Sequence, residues 1–266
     1  MILNEQFEEE RVVLLKNSKQ KDEKKEEQKE KLKQKEKQNE QPVEISAQSK
    51  EKAEQLKKKL VDSEFSIKGQ CAISLLLTKL DIINTVLLMN MKRNVIQMKT
   101  GRLKSFDSVC KKMNKKGLDL DFDVAVDRIN DLIGVRAICA YVDDIYKVAE
   151  LVERQKDIRI VKVKDYIKEP KKSGYQSLHL IIEIAIAFQN GTQWIKIELQ
   201  LRTAAMDYWA NLDHQLRYKK GKKEAELIDG ELRECAEVIG NLDQRMLEIR
   251  KKPKNGKKKS RQLSRI

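Results

Sequence analysis

The sequence has few of the residues that build common metal and nucleotide sites. Among its 266 residues are two histidines, which excludes a histidine-rich metal centre, and four cysteines without a CxxC pair. These cysteines predict neither a zinc site nor a disulfide framework, and they indicate reduced thiols. No GxxxxGK[ST] segment occurs, so the protein is not a P-loop enzyme.

Long apolar runs are also scarce. We find no run of the length that a membrane span requires, and the first residues, MILNEQFEEE, lack the pattern of a signal peptide. We therefore expect a cytoplasmic protein with no membrane partner.

The positive charge is concentrated at one end of the chain. The formal net charge is +14, and the segment from Arg250 to the end holds nine lysines and arginines without an acidic residue. The rest of the chain carries 14 − 9 = +5. This excess suits a polyanionic partner, but it lies mostly in the tail and is weak support for nucleic-acid binding by the folded body.

Composition divides the chain into three regions. Residues 1–62 are rich in Lys, Glu and Gln without a sustained heptad, which predicts a charged extension, either a solvated helix or disordered. Residues 63–250 carry the apolar patterns of a folded catalytic domain. Residues 251–266 are predicted to be a basic, disordered tail.

The folded region begins with a helical pattern. The apolar segment 72–91 contains no Gly or Pro and predicts a buried helix. The TGR that follows is interpreted as a turn. A short helix is then expected to start at the N-cap Ser105 and to end at Gly117.

Strands dominate the centre of the chain. Apolar and alternating patterns predict strands over 132–142, 158–167, 178–188 and 192–203, and helices over 143–155, 204–220 and 223–250. Gln-Asn-Gly between the last two strands predicts a hairpin. The expected fold class is α/β or α+β, with a mixed sheet flanked by helices.

One face of the last strand is polar, because alternation places four side chains together: Lys196, Glu198, Gln200 and Arg202. The alternative interpretation is an ordinary solvated face. Asp131, at the start of another strand, and Glu198 are suited to share Mg²⁺ with phosphate oxygens and water. Arg136 lies among apolar residues of that strand, so it needs a partner or a ligand. Together with the nearby cations, these carboxylates favour phosphoryl or pyrophosphoryl transfer.

The segment SGYQSLHL is a second candidate site. Tyr175, Ser177 and His179 alternate, so they face one side of an extended chain. A tyrosine beside a glycine is suited to stacking on a base, although packing at a strand end is equally compatible with the pattern.

The ordered segments TGRLK, INDLIGVRAIC, SGYQSLHL and IELQLRTAAMDYWANLDH resemble the synthetase domain of the RelA/SpoT family. The resemblance covers about residues 68–250 and is nearest to the RelQ-type small alarmone synthetases. It implies a nucleotidyltransferase-like fold and a GTP diphosphokinase (GTP pyrophosphokinase). Such an enzyme transfers pyrophosphate from ATP to the 3′-hydroxyl of GTP or GDP, makes the stringent-response alarmone (p)ppGpp, and has no hydrolase activity.

The resemblance also implies a role for each candidate residue. Asp131 and Glu198 are expected to bind Mg²⁺ and to act in catalysis. The residues expected to bind ATP are Arg102, Lys104, Lys112, Arg136 and Lys164. Those expected to bind GTP are Lys171, Tyr175, Ser177, His179, Gln200 and Asp207. A homotetramer formed through helices 72–91 and 223–250 is implied as well.

Two alternatives stay open. Toxic relatives pyrophosphorylate the 3′ end of tRNA or make an adenosine alarmone, and the basic tail suits tRNA. A non-catalytic protein on the same fold that binds single-stranded RNA is the other alternative. The presence of both carboxylates argues against it.

Overall fold

The computed structural model describes residues 47–61, 63–217 and 228–252 of the chain. Within these ranges it contains seven helices and five strands. In chain order they are α1 (Ala47–Val61), α2 (Glu64–Met91), β1 (Ile96–Leu103), α3 (Phe106–Lys115), α4 (Phe122–Arg128), β2 (Ile133–Cys139), α5 (Val142–Glu153), β3 (Ile158–Asp165), β4 (Leu178–Phe188), β5 (Gly191–Thr203), α6 (Ala204–Arg217) and α7 (Asp229–Lys251).

The strands form one mixed sheet in the order β1-β2-β5-β4-β3, which confirms the predicted fold class. β2 and β5 are parallel, whereas the other neighbouring pairs are antiparallel. β4 and β5 form the predicted hairpin, in which Phe188 lies opposite Gly191. Gly191 has a φ of +103°, a backbone conformation that glycine tolerates best.

One face of the sheet is apolar and is covered by α2 and α5. Alternate residues of the strands point into this layer, among them Val135, Leu180, Ile182, Ile197 and Leu199. α2 contributes Leu76 and Leu80, which are fully buried. Because successive strand residues point to opposite faces, the polar residues of the same strands lie together on the other side.

The predicted helix 72–91 forms as part of α2, but it is buried on one side only. Ile82, Val86 and Met89 remain exposed. The stretch Glu51–Met91 contains an 18-residue window that is long and apolar enough to cross a membrane, by length and composition only. One third of this window is buried inside the protein, and the core helix of a protein without a membrane span passes the same test.

A second, smaller apolar cluster joins α1, α3 and α4. Leu56 and Leu60 of α1 are buried against Val109, Met113 and Ala125. The packed body therefore includes part of α1, and the domain boundary at residue 62 stays a prediction. Most of the extension and all but two residues of the predicted tail lie outside the described residues.

The interpretation of TGR as a turn is wrong. Gly101 lies within β1, which pairs with β2 so that Arg102 is opposite Gly134. A Cβ atom on Gly101 would overlap Cγ2 of Ile73 in α2. The glycine therefore allows α2 to pack closely on β1. This packing involves a helix far away in the sequence, so the residues around TGR could not indicate it.

The last two helices pack on the end of β5. Oγ1 of Thr203 donates to Asp243 of α7 at 2.5 Å, and the indole nitrogen of Trp209 in α6 donates to the carbonyl oxygen of Leu232 at 2.9 Å. The predicted helices over 204–220 and 223–250 are confirmed for their described parts. Residues 218–227 lie outside the described ranges.

Gly101→Ala should lower the free energy of unfolding by about 1–3 kcal/mol, because the added methyl group overpacks the contact with Ile73. Gly134→Ala is the matched control, since a Cβ atom there meets nothing within 4 Å. Urea unfolding of both variants tests this. Equal midpoints for the two would contradict the packing explanation.

Candidate active site

The polar face of the sheet carries the predicted site. Strand pairing places Glu198 beside Gly134, and Gln200 between Arg136 and His179. Glu198 is 7% exposed and Arg202 is 4% exposed, so the alternative of a solvated face is wrong for these two residues. Lys196 of the same face does not join the site, because its ammonium group donates to carbonyl oxygens at the end of α4.

A cavity of about 120 Å³ opens on this face. The residues that line it include Arg102, Asp131, Gly134, Arg136, Glu198 and Gln200. Five of these were predicted from the sequence as site residues, and Gly134 leaves the space above its backbone free. The fold thus brings both predicted carboxylates to one cavity.

Asp131 is held by two lysines. Lys112 of α3 donates to Oδ1 at 2.8 Å, and Lys104, just after β1, donates to Oδ2 at 3.1 Å. Burial opposes ionisation of Asp131, but the two ammonium groups outweigh it and hold the pKa of this carboxyl below its usual value. Asp131 is therefore an anion at neutral pH.

Glu198 accepts hydrogen bonds at both oxygens. Nδ1 of His179 lies 3.2 Å from Oε1, and the amide nitrogen of Gln200 donates to Oε2 at 2.7 Å. Burial opposes ionisation here too, but the contacts with His179 and Gln200 lower the pKa of Glu198. Burial lowers the pKa of His179, with Glu198 opposing it in part, so the imidazole is neutral.

The donor set fits Mg²⁺ in the presence of a nucleotide. Asp131 and Glu198 line one cavity, and both are ionised. The described ranges contain no cluster of three or more His, Cys, Asp or Glu side chains that could hold a metal ion without further ligands. Mg²⁺ commonly takes one or two carboxylates and completes its shell with phosphate oxygens and water.

The guanidinium of Arg202 is the centre of a hydrogen-bond network. It donates from Nε to Ser177 at 3.3 Å, from Nη1 to Asp207 at 3.0 Å, and from Nη2 to Tyr175 at 2.5 Å and Gln200 at 3.1 Å. These partners are four of the six residues predicted to bind GTP. The sequence reasoning assigned no role to Arg202, although its alternation with Glu198 and Gln200 was a usable signal.

Asp207 links this network to the predicted ATP side. Its Oδ1 accepts from Arg202 and also from Nη1 of Arg136 at 2.9 Å. The expectation that Arg136 needs a partner is therefore confirmed. Nε of Arg136 is buried and has no hydrogen-bond partner among the described residues.

The ring of Tyr175 is enclosed by other side chains. Nζ of Lys171 lies 4.5 Å from its centroid, and Cζ of Arg202 lies 5.1 Å from it. The rings of Tyr166 and His179 pack edge-on against it. A base would reach this ring only after Lys171 moves, so stacking on Tyr175 stays a prediction.

Lys164 is the remaining predicted residue. It lies on the edge strand β3, opposite His179 in the register. Its charge helps to lower the pKa of Lys171, after the larger effect of burial. Lys164 therefore faces the same side of the sheet as the other cations.

Asp207→Asn should lower the free energy of unfolding by about 3 kcal/mol, because two guanidinium groups lose their shared buried counter-charge. The matched control is Asp213→Asn on the same helix, whose partly exposed pair with Arg217 is worth about 0–1 kcal/mol. Urea unfolding compares the two. If Asp207→Asn lowers the free energy of unfolding no more than Asp213→Asn does, Asp207 is not the shared counter-charge of Arg136 and Arg202.

Comparison with known proteins places this chain in a family. Residues 101–223 match the region found in RelA and SpoT proteins. GTP pyrophosphokinase YwaC of Bacillus subtilis is 41% identical over 180 residues, which cover 68% of this chain and 86% of the relative.

Solved structures agree with the sequence match. Small alarmone synthetase 1 of Bacillus subtilis bound to its product pppGpp is 33% identical with a TM-score of 0.62, covering 70% of this chain and 94% of that chain. Its structure bound to AMPCPP is 30% identical with a TM-score of 0.57, at 70% and 94% coverage. The chain described here therefore belongs to the RelA/SpoT family and is similar to its small alarmone synthetases.

Proposed function

We propose that this protein is a GTP pyrophosphokinase that makes the alarmones pppGpp and ppGpp. The observation that carries the proposal is the pair of ionised carboxylates, Asp131 and Glu198, facing one cavity bordered by cations. The relatives support it, because YwaC is a GTP pyrophosphokinase and the structural neighbours bind pppGpp or AMPCPP.

The reaction transfers a pyrophosphoryl group from ATP to the 3′-hydroxyl of GTP or GDP. A bond forms between the 3′-oxygen and the β-phosphorus, and the bond between the β-phosphorus and the α,β-bridging oxygen breaks, so AMP leaves with that oxygen. Glu198 takes the proton of the 3′-hydroxyl. It is suited to this role because it is an anion whose oxygens border the cavity.

On the donor side, cations neutralise the phosphates and hold the adenine. Arg102 and Arg136 line the cavity and are assigned to the adenine of ATP. We assign three lysines to the phosphates: Lys104, Lys112 and Lys164. The first two are paired with Asp131 in this structure. Positioning and charge neutralisation account for most catalysis in phosphoryl transfer, which is why so many cations surround so small a site.

On the acceptor side, the six residues predicted to bind GTP are Lys171, Tyr175, Ser177, His179, Gln200 and Asp207. We assign Tyr175 to the guanine, reached after Lys171 moves away from the ring. Gln200 and His179 contact Glu198, which supports their assignment to the ribose of the acceptor nucleotide.

Mg²⁺ is the proposed cofactor, held by Asp131 and Glu198. When bound with ATP, it supplies charge neutralisation and alignment of the transferred phosphates. Asp131 would then exchange its contacts with Lys104 and Lys112 for the metal, which leaves both ammonium groups for the phosphates.

Thin-layer chromatography of labelled ATP with Mg²⁺ and GTP or GDP should show labelled pppGpp or ppGpp. Glu198→Gln should abolish the product, since the amide keeps the shape of the side chain but cannot take the proton. Glu183→Gln is the matched control on the neighbouring strand, because its backbone lies beside Lys196 outside the cavity. Unchanged synthesis by Glu198→Gln would contradict the assigned role.

The same assay separates the alternatives. Deacylated tRNA or ATP as sole acceptor should accept no label. Label moving to tRNA alone would instead support a tRNA-modifying toxin, and RNA binding without any transfer would support a non-catalytic protein. Added ppGpp should release no pyrophosphate, because we propose synthesis without hydrolase activity.

We also propose a homotetramer. Exposed apolar side chains occupy one face of α2 (Ile82, Val86, Met89) and one face of α7 (Val238, Leu242, Met246, Ile249). Such contiguous apolar faces are typical of protein–protein contacts. These helices are the two that the family resemblance assigns to assembly.

Analytical ultracentrifugation should find tetramers for the wild type and smaller species for Val86→Glu, because a charge would be buried at the subunit contact. Val161→Glu is the control, since Val161 is 54% exposed and Val86 is 42% exposed, but Val161 lies on strand β3 and not on α2. Tetramers in both variants would contradict the assignment of α2 to the interface.

We place the protein in the cytoplasm. All four cysteines are free, which suits a reducing compartment.

A further inference from the structure

Three hydrogen bonds run in series from a buried cation to Glu198. Nη2 of Arg202 lies 2.5 Å from the hydroxyl of Tyr175. That hydroxyl lies 2.8 Å from Nε2 of His179, whose Nδ1 lies 3.2 Å from Oε1 of Glu198. The four residues come from β4, β5 and the loop before β4, so only the folded sheet brings them into line.

The directions of these bonds are set by the charged groups at the two ends of this relay. Arginine has donors and no acceptor, so the oxygen of Tyr175 accepts from Arg202. Ionised Glu198 can only accept, so Nδ1 of His179 carries a proton and donates it to Oε1. The imidazole is neutral, so its Nε2 is unprotonated and accepts the hydroxyl proton of Tyr175.

A second arm leads from the same guanidinium nitrogen to the other oxygen of Glu198. Nη2 of Arg202 donates to Oε1 of Gln200 at 3.1 Å, and Nε2 of Gln200 donates to Oε2 of Glu198 at 2.7 Å. The orientation of the Gln200 amide is fixed in the same way, because an arginine accepts nothing. Each oxygen of Glu198 thus receives one directed bond.

We propose that these two arms form a clamp that orients the Glu198 carboxylate, and that Arg202 and Tyr175 are positioning residues for the pyrophosphoryl transfer proposed above, on which this inference rests. A carboxylate offers about four lone-pair positions, and the clamp uses one on each oxygen. The remaining positions are left for the cavity, where substrate arrives.

The clamp is itself held rigidly. Ser177 accepts from Nε of Arg202 and Asp207 accepts from Nη1, and both of these residues are buried. Arg202 is 4% exposed, so its position does not depend on solvent. Interactions that hold an acting group in one geometry raise reactivity by positioning.

The hydroxyl of Tyr175 therefore has a function separate from its ring. Tyr175→Phe keeps the ring, and with it any contact with a base, but removes both bonds of the hydroxyl. Tyr166→Phe is the matched control, since Tyr166 packs edge-on against both Tyr175 and His179 and its hydroxyl is not part of the clamp.

The first test is spectroscopic and needs no substrate. With ¹⁵N-labelled histidine, two-bond ¹H–¹⁵N correlation spectra at neutral pH show which ring nitrogen carries the proton. The chain has two histidines, and the exposed His214 is identified by His214→Gln. We expect His179 with its proton on Nδ1 in the wild type and in Tyr166→Phe, and a loss of this single tautomer in Tyr175→Phe.

The second test is kinetic. Tyr175→Phe should reduce kcat by about 10–100-fold, the usual effect of removing a partner that orients an acting group. The KM for GTP should change little, because the ring remains. Tyr166→Phe should keep the wild-type kcat. His179→Asn, which retains an N–H near the position of Nδ1, should be more active than His179→Gln, which does not.

The outcomes are separable. A proton on Nε2 of His179 in the wild type, or equal kcat values for Tyr175→Phe and Tyr166→Phe, would overturn the clamp. A loss confined to the KM for GTP would assign Tyr175 to binding alone and would overturn it as well. If the wild type transfers no pyrophosphate, the proposed function fails, whereas the spectra still decide whether the relay exists.

Discussion

The site depends on one buried charge, the guanidinium of Arg202. It donates one hydrogen bond each to Tyr175, Ser177, Gln200 and Asp207, which lie on three different segments of the chain. A cation buried to this degree is tolerated only when paired and fully hydrogen-bonded. The requirement works in both directions, because the partners that satisfy Arg202 are themselves held in place by it.

The sheet makes this arrangement compatible with a stable core. Alternation along β5 sends Ile197 and Leu199 into the layer under α2 and α5, and sends Glu198 and Gln200 to the opposite side. Since β2 runs parallel to β5, Gly134 lies directly beside Glu198, just after Asp131. The same pleat therefore supplies apolar burial on one face and a pair of carboxylates on the other.

The charged groups of the site are paired with one another before any nucleotide is bound. Lys104 and Lys112 share Asp131, while Arg136 and Arg202 share Asp207, so the cations of these pairs outnumber the carboxylates. Substrate binding can then be understood as an exchange of partners, in which phosphates and a metal ion replace contacts within the protein. Such exchange keeps buried charges paired throughout, which avoids the large cost of isolating one of them.

The sequence alone determined four of the five strands and five of the seven helices in the described ranges, the β4–β5 hairpin and the polar face that holds Glu198 and Gln200, because period-two alternation and turn residues act locally. The place of Asp131 at the start of another strand also indicated it as the partner of Glu198 for Mg²⁺, and the family resemblance implied the same pair. Only the tertiary structure decided which charges are buried, since Arg202 meets Tyr175, and His179 meets Glu198, across segments distant in the chain. It also explains the glycine at position 101, because Ile73 of α2, which is remote in sequence, leaves no room for a side chain there.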